Sequence, residues 1–114
     1  MTNQIIVIGR IVSDLKINET ENGKKSCKVV IAVPRDYKND DGIYETDFIE
    51  VMLYSNLANN TTEWCKKGDL IGIKGKIESK INNGEIDLTL VAERVTFLSS
   101  NPELIAKTEA ERYY

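Results

Sequence analysis

Thr46-Asp47-Phe48-Ile49-Glu50-Val51-Met52-Leu53-Tyr54 is the stretch on which the fold turns. Side chains alternate sides along a strand, so Ile49, Val51 and Leu53 form one row and Phe48, Glu50, Met52 and Tyr54 the other. The aliphatic row predicts a core face. The second row sets two aromatics on the far side of a sheet whose core is already supplied. Ser55 to Lys67 follows with helical spacing. Ser55 is placed to cap the N-terminus, and Leu57, Thr61, Trp64 and Cys65 share a stripe. Lys66 and Lys67 suit the C-terminal end of the helix dipole, and Gly68 supplies the C-terminal cap.

Upstream, Gln4 to Val12 is a β-branched run with Gly9 inside it, which predicts a buried strand with a bulge or a close approach at the glycine. Asn22-Gly23 is a hairpin signal. Lys28 to Val33 reads as the second strand, stopped by Pro34, and Asp36 to Tyr44 as a polar loop. Downstream, Leu70 to Ile81 and Glu85 to Phe97 are strands joined by a turn at Asn82-Asn83-Gly84. Three strands, a helix and two strands is the order of the OB fold, all-β with one helix, a five-stranded Greek-key barrel whose helix sits between strands three and four. An antiparallel α+β sandwich has the same order. Residues 1–99 are expected to form one domain. Residues 100–114 make a short C-terminal extension, helical at most, that opens at Asn101-Pro102.

At 114 residues the chain has room for a single domain. Fifteen basic against 18 acidic residues give a net charge of −3, so overall charge does not announce a nucleic-acid binder. Cys27 and Cys65 are far apart in a chain with no histidine. No metal site or cofactor is expected, and free thiols in a reducing cytoplasm are the plain reading. Met1 to Gln4 lacks the positive start of a signal peptide, and Gly9-Arg10 breaks the apolar run that follows, so no membrane span is predicted. Asp36, Asp40, Asp41 and Asp47 lack the spacing of a calcium loop. With no histidine and no phosphate-binding glycine motif, no catalytic constellation emerges, and no enzyme is expected.

Local placement carries more than net charge. Phe48 and Tyr54 lie roughly 20 Å apart along their strand. Both can offer platforms to stacked bases, worth on the order of 1–3 kcal/mol per base and indifferent to sequence. Packing under a loop, the helix or a partner subunit is the competing explanation. On the next strand Ile71, Ile73, Ile77 and Ile81 share one face, and Lys74, Lys76, Glu78 and Lys80 the other. The lysines make a local positive stripe suited to phosphates, or a solvated barrel exterior. Tyr37, set between Arg35 and Lys38 where the loop opens, is a stacking candidate. Lys24, Lys25 and Lys28 flank the first hairpin as phosphate contacts or as solvated charges. Trp64 lies on the helix stripe and is expected to plug the barrel end.

These residues resemble bacterial and phage single-stranded DNA-binding proteins, the SSB family. The likeness opens at Asn3-Gln4-Ile5-Ile6-Val7-Ile8-Gly9-Arg10 and passes through Asn22-Gly23, Val30-Ile31-Ala32-Val33 and Thr46-Asp47-Phe48-Ile49-Glu50-Val51. It continues in Lys66-Lys67-Gly68 and Ile73-Lys74-Gly75-Lys76-Ile77, and closes at Val91-Ala92-Glu93-Arg94-Val95-Thr96-Phe97-Leu98. The resemblance implies an OB fold, a homotetramer and sequence-tolerant binding of single strands in replication, recombination and repair, in the cytoplasm with the nucleoid. It places family stacking aromatics on Tyr37, Phe48 and Tyr54, and basic positions on Lys67 and Lys80.

Departures from the family pattern are specific. A fourth aromatic position falls on Asn82, and two basic positions are Glu50 and Glu78. The family's long linker and acidic, aromatic-ended tip recruit replication proteins. Here the chain stops at Glu109-Ala110-Glu111-Arg112-Tyr113-Tyr114, so a tailless member is expected. A primosomal OB-fold accessory acting mainly through protein contacts is the alternative.

Overall fold

Val51 and Leu53 are wholly buried, and their row is one wall of a core completed by Ile11, Cys27, Val29, Ile31, Ala58, Ile71 and Ile73. The computed structural model describes residues 1–100. Its elements are β1 (Ile5–Ile11), β2 (Asn18–Glu19), β3 (Lys25–Lys38), β4 (Tyr44–Tyr54), α1 (Ser55–Trp64), β5 (Leu70–Asn82) and β6 (Glu85–Ser99). The sheet runs β1-β5-β6-β4-β3-β2, and β1 pairs with β3 as well, so the five long strands close on themselves. Every pairing is antiparallel except β4 with β6, which run parallel through Val51↔Leu90 and Met52↔Val91. This is the OB barrel, with α1 between its third and fourth long strands. Closure through β1 and β3 removes the open sandwich.

Two glycines permit the closure. A Cβ on Gly9 would strike the Ala32 carbonyl, and one on Gly75 the Val91 carbonyl. The close approach expected at Gly9 is therefore present. The first hairpin turns at Gly23, whose φ of 78° suits glycine.

Several local expectations need correction. Pro34 does not end β3, which continues to Lys38 and pairs Pro34 with Thr46 before an irregularity in register. Beyond Ala32, β1 no longer flanks β3, so the strand there has a neighbour on one side only, where proline is tolerated. The loop expected over 36–44 shrinks to the turn between Lys38 and Tyr44. The helix ends at Trp64, with Tyr54 and Cys65 as its caps. Ser55 makes no capping bond and is itself the first helical residue, at a φ of 56°. Lys66 and Lys67 lie past the helix, in a turn held by Asp69 N–H to the Lys66 carbonyl and by Lys66 N–H to the Asp69 carboxylate. Gly68 belongs to that turn. The residues α1 buries are Ala58 and Thr61, with Cys65 just beyond, and Trp64 points to solvent instead of plugging the barrel.

On β5, Ile71 and Ile73 are buried, but Ile77 and Ile81 are exposed. The alternation persists; what fails is cover, because β5 and β6 run past the barrel rim as a hairpin. The extension expected over 100–114, its helix and the Tyr113-Tyr114 end lie, from residue 101 on, outside the described residues.

Candidate nucleic-acid interface

Strand β4 presents Phe48, Glu50, Met52 and Tyr54 on its outer side, as the alternation requires. Phe48 is 62% exposed and Tyr54 46%, so neither packs under a loop or the helix of its own chain. Their neighbours across β3 are Ala32 opposite Phe48, Lys28 opposite Met52 and Ser26 opposite Tyr54. Beside Phe48, an open groove of about 330 Å³ runs between β4 and β6, lined by Glu50, Met52, Leu88 and Leu90 among others. Phe48, Met52, Leu88 and Leu90 offer a base apolar contact there, beside the Glu50 carboxylate.

Tyr37 is 64% exposed near the end of β3. Together β3 and β4 project past the barrel as an arm, and the two strands are cross-linked there by side chains. Arg35 donates from Nε and Nη2 to the Asp47 carboxylate, the latter at 2.8 Å, and from Nη1 to Glu45. The guanidinium holds the Asp47 carboxyl below its usual range through hydrogen bond and charge, and Asp47 in turn raises Arg35. Asn39 donates from Nδ2 to Glu45, and its Oδ1 accepts from the Asp41 and Ile43 amides, closing the tip.

The predicted cations fall into distinct settings. Lys28 Nζ lies 3.5 Å from Glu50, and Lys76 Nζ 3.4 Å from Glu78. With Arg35 included, three of them already face carboxylates. Lys38 sits over the ring of Tyr44, its cross-strand partner. Lys67 lies in the turn after α1, and Lys80 stands opposite Asp87. Lys74 is opposite Arg94 and lines a different groove, with Ile6, Ile8 and Leu98. The structure thus brings Tyr37, Phe48, Tyr54, Lys28, Lys38 and Arg35 onto the paired strands β3 and β4 and sets Lys74 apart.

Two further aromatics are exposed where the sequence pattern alone does not place them. Trp64 is 74% exposed, because the stripe that α1 buries lies on the neighbouring residues Ala58 and Thr61. Tyr44 opens β4 instead of lying in a loop, and its even spacing from Phe48 is the signal that places it on the same face.

Among the described residues no cluster of potential ligands could hold a metal ion, and no helix is long and apolar enough to cross a membrane. Cys27 and Cys65 are free and buried, and burial pushes the Cys65 thiol up.

Comparison with known proteins matches residues 2–98 to the model of the single-strand binding protein family. The chain is 31% identical over 107 residues to single-stranded DNA-binding protein B of Bacillus subtilis, covering 90% of this chain and 95% of that one. It is 36% identical over 80 residues to single-stranded DNA-binding protein 1 of Streptococcus pyogenes, covering 70% of this chain and 62% of that one. Among solved structures, the wild-type single-stranded DNA binding protein from Thermus aquaticus superposes with a TM-score of 0.73 at 19% identity. That match covers 88% of this chain and 52% of the Thermus chain, and it bears on the fold alone.

Proposed function

The chain belongs to the single-strand binding protein family, and on that premise we propose that it binds and protects single-stranded DNA without regard to sequence. The carrying observation is the exposure of Phe48 and Tyr54 on one outer face of β4, beside an open groove between β4 and β6. Bases stack on Phe48, Tyr54 and Tyr37, while Lys28, Lys38, Lys67, Lys76 and Lys80 supply phosphate contacts. Residues 1–99 form the binding domain and 100–114 an extension. The activity is binding, in replication, recombination or repair, on cytoplasmic DNA.

Because Lys28 and Lys76 are paired with Glu50 and Glu78 in the free protein, a phosphate must compete for them. A homo-oligomer, a tetramer by resemblance to the family, is supported by a second surface. Ile6, Ile8 and Leu98 are exposed together, and β1 from Ile5 to Gly9 pairs only with β5, which leaves its other edge open.

Titration of a labelled oligo-dT strand at several salt concentrations tests the proposal. Phe48→Ala and Tyr54→Ala are each expected to weaken binding about tenfold, a loss that follows from one stacked base. Absence of binding by the parent chain at low salt would sink the proposal and favour action through protein contacts.

A further inference from the structure

The alternation that turns Phe48 and Tyr54 outward does not stop at Phe48. β4 begins at Tyr44, and Tyr44, Thr46 and Phe48 have the same parity. The irregularity in pairing between Pro34 and Lys38 does not interrupt β4, which is continuous from Tyr44 to Tyr54. Tyr44 therefore lies on the Phe48 face about 13 Å further along the strand. Tyr44 is 47% exposed, and Lys38 Nζ stands 5.5 Å from the centroid of its ring, within cation–π reach. One side of the ring is thus backed by a charge, which leaves the rest to solvent.

Glu45 and Asp47 have the opposite parity, so the chain Asn39–Glu45–Arg35–Asp47 runs along the other side of the arm. That chain ties β3 to β4 where no barrel strand supports them. It fixes the backbone that carries Tyr44 before any ligand arrives, which lowers the ordering cost of binding.

We propose that Tyr44 is a further base-stacking platform, backed by Lys38. On the same grounds Arg35 is a positioning residue that holds the platform, not a phosphate contact. The ligand is a base of the same single strand, continuing from Phe48 onto the arm. The inference rests on the proposed binding of single-stranded DNA and extends its track onto the β3–β4 arm.

The test uses the full chain and oligo-dT strands of increasing length, with thermal unfolding as the folding control. Tyr44→Leu keeps an apolar side chain and removes the aromatic face. It is expected to weaken binding of long strands about tenfold and to leave strands too short to reach the arm unaffected. Tyr44→Phe should bind like the parent, and an iodouracil-substituted strand should photo-cross-link to Tyr44. Arg35→Gln should lower affinity with the salt slope unchanged; a slope shallower by about 0.7, the value for one lost phosphate contact, would overturn its positioning role. If Tyr44→Leu binds long strands like the parent while Phe48→Leu does not, the platform is refuted and the wider function stands. If the parent chain binds no strand, both fall.

Discussion

The barrel sends out two hairpins of opposite construction. The β3–β4 arm is held by Arg35, Glu45, Asp47 and Asn39 and displays rings. The β5–β6 arm is longer, paired in register from Lys76↔Val91 to Asn82↔Glu85 around a turn at Asn83 and Gly84. Its paired rows Ile81↔Ile86 and Ser79↔Leu88 leave isoleucine and leucine in solvent. At its root the Asn3 side chain mimics a strand, donating to the Ile77 carbonyl and accepting from the Ile77 amide. A hairpin off the barrel has no core to organise it, so cross-strand side chains must do so. Polar cross-links order one arm without cover. Aliphatic pairs on the other gain little until something covers them.

The largest expected effect lies where the second arm joins the barrel. Gly75→Val would drive a Cβ into the Val91 carbonyl, a backbone atom with no freedom to step aside. Urea unfolding should show a loss of about 3 kcal/mol, in the range of overpacked core positions. A loss below about 0.5 kcal/mol, the range of ordinary surface changes, would mean that the root of this arm is looser than the contact implies.

An intermediate effect should appear in the first arm on acidification. Asp47 titrates below the ordinary carboxylate value of 3.8 because Arg35 holds its ionised form. A depressed carboxyl stabilises the fold fully above its unfolded value and loses that contribution as pH falls through the folded one. The cross-link should thus be intact at pH 5 and released only below 3.8. Following the Arg35 Nε–H resonance through an acid titration checks this, and a midpoint at or above the ordinary value would break the contrast between the arms.

How far each region could be foreseen follows the same division. The barrel was legible because Ile49, Val51 and Leu53 alternate with Phe48, Glu50, Met52 and Tyr54, and burial enforces alternation. Gly9 was legible because a glycine inside a β-branched run has few other uses. The arms were not. Pro34 looked like a stop because proline lacks an amide hydrogen, but that matters little on a strand with one neighbour. Tyr44 was lost to a loop because the network that extends β3 and β4 depends on Arg35 meeting Asp47, which sit 12 positions apart. Trp64 was placed inside because helical spacing gives a stripe without its exact bearing, and the helix buries Ala58 and Thr61. Ile77 and Ile81 have the right parity for a core that ends before it reaches them.

The smallest expected effect concerns those uncovered residues. Ile81 and Ile86 pair across the tip and remain mostly exposed, so replacing both with threonine removes little burial within the chain. Threonine also keeps a β-branched strand former at each position. The double variant at high dilution should match the parent in folding free energy within about 0.5 kcal/mol, as surface substitutions do. In the polar-tied arm, by contrast, Arg35 and Asp47 are each other's partners, so replacing one unpairs the other. A destabilisation that grew with protein concentration would show a second copy covering the row, and the two arms would then differ in what orders them: one by its own side chains, the other by association.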